Sequence, residues 1–416
     1  MVIKAMVWFF NIIRNMELTA GYPFSLIQHG LPFQYPKLLN NISSEVAIIG
    51  GGISGALTGY FLTEAGIECV LLDGRTIGLG SSCASTSLLQ YELDKPLHEL
   101  IKQVGEHNAV RAYQLCGQAI DILTAIMDKI GFAEFDKRNS LFFTSHSGQK
   151  SFMKNEFEAR KRAGFEMSFL ARDDIYKTYG LKAEYAILSE KGATTNAYTL
   201  THALLQYSMK KGLRVFDRSK VEEANYNRKD VCLRTENGCT VKADKLVNAS
   251  GFEIINFISK DIVDLFCTYA VVSENAREME YLWKDQIMIW NSDNPYLYIR
   301  LTKDNRILVG GRDERFSTKT SREIYEKKSG LLKKDFEKIF PNIRFKSEFA
   351  WSGTFGKTKD SLPFIGTYSK TPNTYYALGF GGNGITFSVI AAEMIRDFIL
   401  EKNNSDAELF QFERKY

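Results

Sequence analysis

A glycine-rich turn between an apolar strand pattern and a helix pattern constrains the fold of this chain most strongly. Residues 44–49 (SEVAII) form a short β-branched run, GGGISG follows directly, and residues 56–64 have helical character that ends at Gly66. Residues 67–72 (IECVLL) predict a second buried strand. Strand, glycine turn, helix and strand within about 30 residues form a βαβ unit, so we predict that a parallel sheet begins here.

The spacing of the glycines in this turn is that of a dinucleotide-binding fingerprint. Gly50, Gly52 and Gly55 fit G-x-G-x-x-G, and Asp73 follows the second strand pattern. The first glycine permits the tight turn, the second lets backbone N–H groups approach a pyrophosphate, and the third lets helix and strand touch. Asp73 can then bond the ribose hydroxyls. The fingerprint alone does not choose between NAD and FAD.

The composition excludes several other classes of protein. The 416 residues include 53 Lys plus Arg and 49 Asp plus Glu, which gives a formal net charge of +4, and 44% are hydrophobic. This is typical of a globular protein of two or three domains rather than of a disordered, collagenous or coiled-coil chain. The small net charge argues against a nucleic-acid partner. The 6 cysteines contain no C-x-x-C pair, which predicts a reducing compartment and no metal site.

The N-terminal segment MVIKAMVWFFNIIRN is apolar but shorter than the roughly 20 residues of a membrane-spanning helix. Three interpretations stay open: a true start at Met16, a weak membrane-surface segment, and a cleaved signal peptide. No later window is uniformly apolar over about 18 residues. We therefore expect a cytoplasmic protein without an integral membrane span, with possible weak peripheral membrane association. The first credible strand begins near Ser44.

Beyond the βαβ unit, the patterns indicate helices first and then strands without helices between them. Helix patterns occur at residues 96–129, 149–163 and 200–211. Asn237-Gly238 between two strand patterns is the strongest hairpin signal in the chain. Strand patterns then recur at residues 265–273, 287–290, 296–301 and 306–309. We predict an antiparallel sheet inserted into an α/β chain.

Further segments have the order and spacing of a known superfamily. The small, hydroxyl-rich loop GLGSSCAST (78–86) follows the acidic strand end, and VNASG (247–251) ends a later strand. Near the C-terminus, DSLPFIG (360–366) and LGFGGNGITFS (378–388) lead into a helix pattern. Over about residues 45–400 the chain resembles the FAD-dependent oxidoreductases of the D-amino-acid oxidase, glycine oxidase, sarcosine oxidase and gamma-glutamylputrescine oxidoreductase superfamily.

The resemblance implies FAD as the cofactor and assigns contacts to it. Asp73 would hold the adenosine ribose, and the hydroxyl-rich loop would line the phosphates and the ribityl chain. Val221 would pair with the adenine, residues 249–251 would close over the nucleotide, and residues 381–386 would bring a helix N-terminus to the flavin pyrimidine edge. The expected cofactor-binding residues are Gly50, Gly52, Ile53, Ser54, Gly55, Asp73, Gly74, Arg75, Gly80, Ser81, Ser82, Ala84, Ser85, Val221, Ala249, Ser250, Gly251, Gly381, Gly382, Asn383, Gly384, Ile385 and Thr386.

The resemblance also implies the fold class, which is α/β (α+β overall). We expect a Rossmann-like FAD-binding domain and a second, mainly antiparallel-sheet substrate domain, with the substrate between them. The FAD-binding domain would comprise residues 41–100, 200–264 and 351–402, and the substrate domain residues 101–199 and 265–350. Residues 1–40 would form an N-terminal extension and residues 403–416 a C-terminal tail.

Two substrate-binding cations of the superfamily are missing from this sequence. Amino-acid oxidases hold the substrate carboxylate with an Arg in a W-x-G-x-R-P segment, where this chain has Phe355. Sarcosine oxidases use a Lys where this chain has Thr386, and their flavin-linking Cys is absent between Trp351 and Asp360. We therefore expect non-covalent FAD. Because a buried carboxylate needs a cation, we also expect a preference for primary or secondary amines over simple α-amino acids.

Three residues are the expected substrate contacts. Glu92 follows the cofactor loop, where a carboxylate attracts an ammonium or, if burial raises its pKa, keeps an amine neutral. Tyr298 and Arg300 lie on one face of a predicted strand because of its period of two. Tyr298 would recognise the amine beside Glu92. Arg300 is either a displaced carboxylate ligand or, as we favour, part of a structural ion pair.

The expected reaction is oxidation of a C–N bond of an amine or amino acid by hydride transfer to flavin, followed by imine hydrolysis. The expected partners are that small-molecule substrate and either O2 or an electron carrier. Three alternatives stay open. They are a dehydrogenase of the same fold that reduces a quinone or carrier, a non-catalytic flavin-binding module, and a flavoenzyme that acts on modified RNA bases.

Overall fold

A computed structural model describes residues 19–251, 262–276, 283–316 and 322–414. The three interpretations of the apolar N-terminal segment fall outside these residues. The strands are β1 Thr19–Gly21, β2 Ile42–Ile49, β3 Cys69–Leu72, β4 Leu88–Gln90, β5 Phe135–Lys137, β6 Ser140–Thr144, β7 Met167–Ala171, β8 Tyr185–Ser189, β9 Gly192–Thr195, β10 Arg214–Phe216, β11 Val221–Tyr226, β12 Val231–Thr235, β13 Thr240–Asn248, β14 Asp264–Ser273, β15 Met288–Asn291, β16 Tyr298–Leu301, β17 Ile307–Arg315, β18 Ser347–Lys357, β19 Phe364–Tyr368 and β20 Thr371–Leu378. The α-helices are α1 Phe24–His29, α2 Ile53–Glu64, α3 Ser81–Ala84, α4 Leu97–Val104, α5 Glu106–Ile130, α6 Lys150–Arg162, α7 Arg172–Tyr179, α8 Ala197–Met209, α9 Arg322–Ile339, α10 Gly384–Ile399 and α11 Ala407–Phe410.

The first sheet contains the predicted βαβ unit. Its parallel strands run in the order β10-β3-β2-β13, and β20 lies parallel to the C-terminal half of β13. β12 and β11 continue antiparallel from the N-terminal half of β13, with the predicted Asn237-Gly238 hairpin between β12 and β13. β19 completes the sheet beside β20. The prediction of a parallel sheet that begins at residues 44–72 is confirmed.

Both faces of this sheet are covered, which explains its continuous apolar strands. On one face, Ile48 and Leu71 pack into the core that α2, α8 and α10 also enter. On the other face, Ala47 and Val70 pack against apolar residues of β12 and β13. The helix pair α2 and α10 lies against the sheet with both N-termini near the carboxyl end of β2. This is the edge at which open α/β sheets bind their ligands.

The second sheet has the order β1-β18-β14-β17-β16-β15-β6-β8-β7. Its neighbouring strands are antiparallel except for β6 and β15, which are parallel. The prediction of a mainly antiparallel second sheet is therefore confirmed. One face packs on α9 through Leu332 and Phe336. On the other face, Trp351 packs with Ala84, and Trp290 packs with Met153 of α6.

The expectation that the first strand begins near Ser44 is wrong. β1 pairs antiparallel with β18, and Thr19 lies opposite Gly353. Downstream, Tyr35 and Leu38 are each 1% exposed, and the Tyr35 hydroxyl lies 3.0 Å from Nδ1 of His202. A strand of only three residues has no detectable periodicity, so only its pairing with β18 defines it. The division into FAD-binding and substrate domains stays a prediction.

Two kinds of feature are absent from the described ranges. No helix within them is long and apolar enough to cross a membrane. No group of three or more His, Cys, Asp and Glu side chains in the same ranges has an arrangement that could hold a metal ion.

Candidate cofactor and substrate site

The turn between β2 and α2 has the backbone that its glycine spacing predicts. Gly50 has a φ of +111°, and a Cβ there would lie 2.5 Å from the carbonyl oxygen of Ala249. A Cβ at Gly55 would lie 1.8 Å from the carbonyl oxygen of Gly50. Gly52 precedes the helix and supplies no side-chain cap. The Ile53 N–H donates to Ser82 Oγ, and the N–H groups that follow it at the N-terminus of α2 can face an anion such as a pyrophosphate.

The carboxylate of Asp73 is fixed beside this turn. Its Oδ2 accepts a hydrogen bond from the Gly51 N–H at 2.6 Å, and its Oδ1 accepts one from the Arg75 N–H at 2.7 Å. The carbonyl of Asp73 also accepts a bond from the Ser219 N–H at 2.7 Å, which brings the start of β11, and thus Val221, to the same end of the sheet. The structure thus brings the expected ribose and adenine contacts together.

The hydroxyl-rich loop connects the glycine turn to the second sheet. Ser82 Oγ accepts a hydrogen bond from the Ile53 N–H at 2.9 Å. Ser81 Oγ donates to the carbonyl of Thr354 in β18 at 3.1 Å, and the carbonyl of Ala84 accepts from the Trp351 indole at 2.8 Å. These bonds hold the loop between the two sheets. The residues that flank α3 are Gly80 and Ser85.

The C-terminal glycine motif forms the second open helix N-terminus. Asn383 precedes α10 without capping it, and its amide instead donates to the carbonyl of Glu92 at 2.8 Å. Gly381 has a φ of +56°. Ser388 Oγ lies 2.7 Å from Ser54 Oγ, which joins α10 to α2. Two helix N-termini that receive no side-chain cap from their own N-cap residue thus lie together, as a bound dinucleotide requires.

A buried polar group supports the same conclusion. Nδ2 of Asn248, at the end of β13, is buried and has no hydrogen-bond partner among the described residues. Its Oδ1 accepts from both the backbone and the hydroxyl of Ser250. Gly251 follows in the left-handed region at a φ of +63°. An unsatisfied donor beside the glycine turn fits a site that a polar ligand completes.

The side chain of Glu92 lies in a buried ion-pair network. The residue is 2% exposed, and its Oε1 lies 3.2 Å from Nη1 of Arg160, whose Nε lies 2.6 Å from Oε1 of Glu156. Burial raises the pKa of Glu92, although Arg160 opposes the shift. Burial would raise the pKa of Glu156 as well, but Arg160 and His98 lower it to about 2. The predicted substrate contact of Glu92 stays a prediction.

Arg300 binds backbone carbonyls. Its Nε donates to the carbonyl of Thr86 at 2.6 Å, and its Nη2 donates to that of Thr195 at 3.4 Å. Burial lowers its pKa to about 10. The favoured ion pair is absent, because no carboxylate of the described ranges lies within ion-pair distance of the guanidinium. Backbone carbonyls take the place of the expected carboxylate, because Thr86 at the end of the hydroxyl-rich loop lies next to Arg300 in β16.

Tyr298 and Tyr296 face the cofactor loop from the second sheet. The Tyr298 hydroxyl lies 2.9 Å from Thr268 Oγ1, and its ring covers Gly310, where a Cβ would lie 2.1 Å from the ring. The Tyr296 hydroxyl donates to Oδ1 of Asp94 at 2.8 Å. Asp94 Oδ2 in turn accepts from the Gly382 N–H at 3.0 Å. These bonds connect the strand face to the glycine motif at α10.

A charged cluster that sequence reasoning missed lies at this junction. We call Asp94, Asp313 and Lys357 the Asp–Lys–Asp cluster. Nζ of Lys357 lies 3.5 Å from Oδ2 of Asp313 and 3.8 Å from Oδ2 of Asp94. Lys357 is therefore a cation at this junction that the sequence-based expectations did not include. The sequence contains a signal for this lysine. Lys357 is two residues after Phe355, so the two side chains lie on the same face of β18.

Comparisons with known proteins agree with this geometry. The family model described as FAD dependent oxidoreductase matches residues 45–398. Gamma-glutamylputrescine oxidoreductase of Escherichia coli (strain K12) is 24% identical over 408 residues, which cover 95% of this chain and 91% of that protein. Glycine oxidase of Bacillus subtilis (strain 168) is 22% identical over 395 residues, 89% of this chain and 97% of that protein. The crystal structure of glycine oxidase from Geobacillus kaustophilus superposes with a TM-score of 0.76 at 19% identity, over 90% of this chain and 99% of that one.

Proposed function

The chain belongs to the family of FAD-dependent oxidoreductases, and from this premise we propose that it oxidises the C–N bond of a small amine. When bound, FAD would supply the redox chemistry as the acceptor of a hydride from the carbon next to nitrogen, and the imine product would hydrolyse in water. The residues of the chain bind the cofactor, orient the amine and set the charge of the site. Each of these tasks has a candidate group among the described residues.

The cofactor side of the proposal depends on the two open helix N-termini. The N-terminus of α2 would hold the pyrophosphate, with Gly52 allowing its close approach and Asp73 accepting the ribose hydroxyls. The N-terminus of α10, with Asn383 and Gly384, would stabilise negative charge at the pyrimidine edge. The family model supports FAD, and this residue-by-residue assignment stays a proposal.

The substrate side depends on one observation, which is the charge of the Asp–Lys–Asp cluster. When all three groups are ionised, two carboxylates and one ammonium give a net charge of −1. Such a cluster attracts a cationic amine and repels a free carboxylate. Phe355 stands where the amino-acid oxidases have their Arg, and Lys357 on the same face is already shared between two acids. The relatives named above include a gamma-glutamylputrescine oxidoreductase and a glycine oxidase. The net charge of the cluster favours an amine over an amino acid as the substrate of this chain.

The test is flavin reduction without oxygen. The holoenzyme is mixed anaerobically with glycine, sarcosine, D-alanine, putrescine or butylamine, and the loss of flavin absorbance is followed. We expect an amine to reduce the flavin faster than any of the three amino acids. Failure of every amine to reduce the flavin would contradict the proposal and favour a non-catalytic flavin-binding module.

Arg300 provides the decisive variant for the substrate class. Fast reduction by an amino acid that disappears in Arg300→Ala would make Arg300 the carboxylate ligand and overturn the amine assignment. The matched control is Arg172→Ala, because Arg172 is an exposed arginine whose guanidinium pairs with Glu184. We expect this control to leave flavin reduction unchanged.

The electron acceptor is assigned by a separate measurement. Oxygen consumption during turnover indicates an oxidase. Turnover that proceeds only with a quinone or an artificial dye indicates a dehydrogenase of the same fold. Both outcomes retain the C–N oxidation itself, so this experiment completes the proposed function without testing it.

A further inference from the structure

Asp313 carries an unused acceptor in the Asp–Lys–Asp cluster. Its side chain is only 5% exposed, and its Oδ1 is buried without a hydrogen-bond partner among the described residues. A buried carboxylate oxygen that lacks a donor costs free energy, and native proteins rarely leave one unsatisfied without a functional reason. Within the cluster only Asp313 has such an oxygen, because Asp94 is bonded through both of its oxygens to Tyr296 and Gly382.

Lys357 does not satisfy Asp313. The separations of 3.5 Å to Asp313 and 3.8 Å to Asp94 exceed the length of a charge-assisted hydrogen bond, which is about 2.7–2.9 Å. One ammonium therefore lies loosely between two carboxylates. Thr268 and Lys357 both interact with the Asp313 carboxylate, but its Oδ1 has no hydrogen-bond partner among the described residues and can accept from a further donor.

The surroundings of Lys357 show that this part of the site suits a cation. The rings of Phe355, Phe266 and Tyr296 lie 5.1, 5.3 and 5.9 Å from its Nζ. Aromatic faces at such distances attract an ammonium group, and more strongly where water is excluded. Aromatic rings and two carboxylates around one lysine thus form a partly buried environment for positive charge.

We propose that Oδ1 of Asp313 binds an ammonium group of the substrate, and that this nitrogen is not the one that is oxidised. The nitrogen bound to Asp313 cannot be the one that is oxidised, because the nitrogen next to the hydride-donating carbon must be neutral. An ammonium group paired with a carboxylate instead stays protonated. The substrate class is then a diamine, with one ammonium on Asp313 and one neutral reacting amine. This inference rests on the proposed function and specifies its substrate.

The test measures binding without turnover. The holoenzyme is first reduced with dithionite under anaerobic conditions, so that an amine cannot react, and amine affinity is then measured by calorimetry. Putrescine and butylamine are matched probes, since they differ only in the second amino group. We expect Asp313→Asn to weaken putrescine binding about tenfold or more and butylamine binding less than about twofold.

Two further variants complete the experiment. Asp121→Asn is the control, because Asp121 is exposed and pairs with Lys191 on the surface, and it should change neither affinity. Lys357→Met removes the competing cation but keeps Asp313, so we expect it to strengthen putrescine binding several-fold. This variant also tests the inference if Asp313→Asn fails to retain FAD.

The outcomes separate the inference from the proposed function. Equal weakening of both probes in Asp313→Asn, or no tighter binding of putrescine in Lys357→Met, would overturn the diamine assignment. If putrescine binds through Asp313 but no amine reduces the oxidised flavin, the ammonium site is supported and the proposed oxidation fails. If butylamine reduces the flavin as well as putrescine does and Asp313→Asn has no effect, the oxidation stands and the ammonium site is refuted.

Discussion

At the scale of single residues, the closest contact in the cofactor turn lies between Gly55 and the carbonyl of Gly50. A methyl group at Gly55 would overlap that oxygen, so helix α2 could not keep its distance from the turn. We expect Gly55→Ala to abolish FAD retention, which the absorbance of the purified protein measures.

The control for this substitution is Gly330→Ala in α9. A Cβ at Gly330 meets no atom within 4 Å, and alanine favours a helix by about 0.5–1 kcal/mol over glycine. This variant should keep its flavin and become slightly more stable to denaturant. Full flavin content in Gly55→Ala would show that the turn does not limit cofactor binding.

A second prediction at this scale concerns Arg160, which forms ion pairs with the buried acids Glu92 and Glu156. Replacing Arg160 by Met leaves Glu92 without its cation and leaves Glu156 with His98 and two backbone N–H groups. Loss of one partner from a buried ion pair costs about 3–5 kcal/mol. We expect Arg160→Met to lower the free energy of unfolding by about this amount, as measured by denaturant titration. Glu92→Gln should cost less, because Arg160 keeps its bond to Glu156.

Glu92→Gln also tests the predicted role of Glu92 in substrate binding. A stability loss in Glu92→Gln without a change in amine affinity would identify Glu92 as a structural residue only. A rise in KM at nearly unchanged stability would support the substrate contact.

At the scale of elements, residues 19–40 are attached to the first sheet partly through α8. His202 in this helix is 2% exposed and lies against Tyr35. Burial lowers the pKa of His202 from 6.5 to about 4. Between these values the unfolded chain takes up a proton that the folded protein excludes, so stability falls as the pH decreases from 7 toward 4.

We therefore expect His202→Gln to reduce the pH dependence of stability. The contribution of one such histidine between pH 7 and pH 5 is about 2 kcal/mol. The free energy of unfolding, measured at both pH values, should fall less in the variant than in the parent protein. His107→Gln, at an exposed position, is the control. An unchanged pH dependence in His202→Gln would mean that His202 is protonated in the folded state.

At the scale of the whole molecule, FAD would contact groups that are far apart in the sequence, from Gly50 to Thr386. A ligand that binds only the folded state stabilises it in proportion to the logarithm of its concentration over its Kd. We expect the protein to purify yellow, to release FAD on acid precipitation, and to melt at a lower temperature once FAD is removed. Colour that stays with the precipitated polypeptide would contradict the non-covalent assignment.

Sequence patterns predicted the elements whose signals are local. The glycine turn with β2, α2 and β3 and the Asn237-Gly238 hairpin each follow from residue types within a short window. The same reasoning missed β1 and the small antiparallel sheet β4-β9-β5, whose strands have only three or four residues each. Such short strands are defined by their partners, so no periodicity within them can identify them.

The sequence by itself determined that this chain has a dinucleotide fingerprint, an α/β sheet and a second sheet, because these depend on periodicity and on glycine spacing. It also determined that positions 355 and 386 carry no cation, since they hold Phe355 and Thr386. Only the tertiary structure brought Asp94, Asp313 and Lys357 together from three separate segments and placed Arg300 on backbone carbonyls. The physical reason is that the net charge of a binding site depends on which charged groups lie near one another in space and on how deeply they are buried. Neither property can be read from the sequence for residues such as Asp94 and Asp313, which lie more than 200 positions apart.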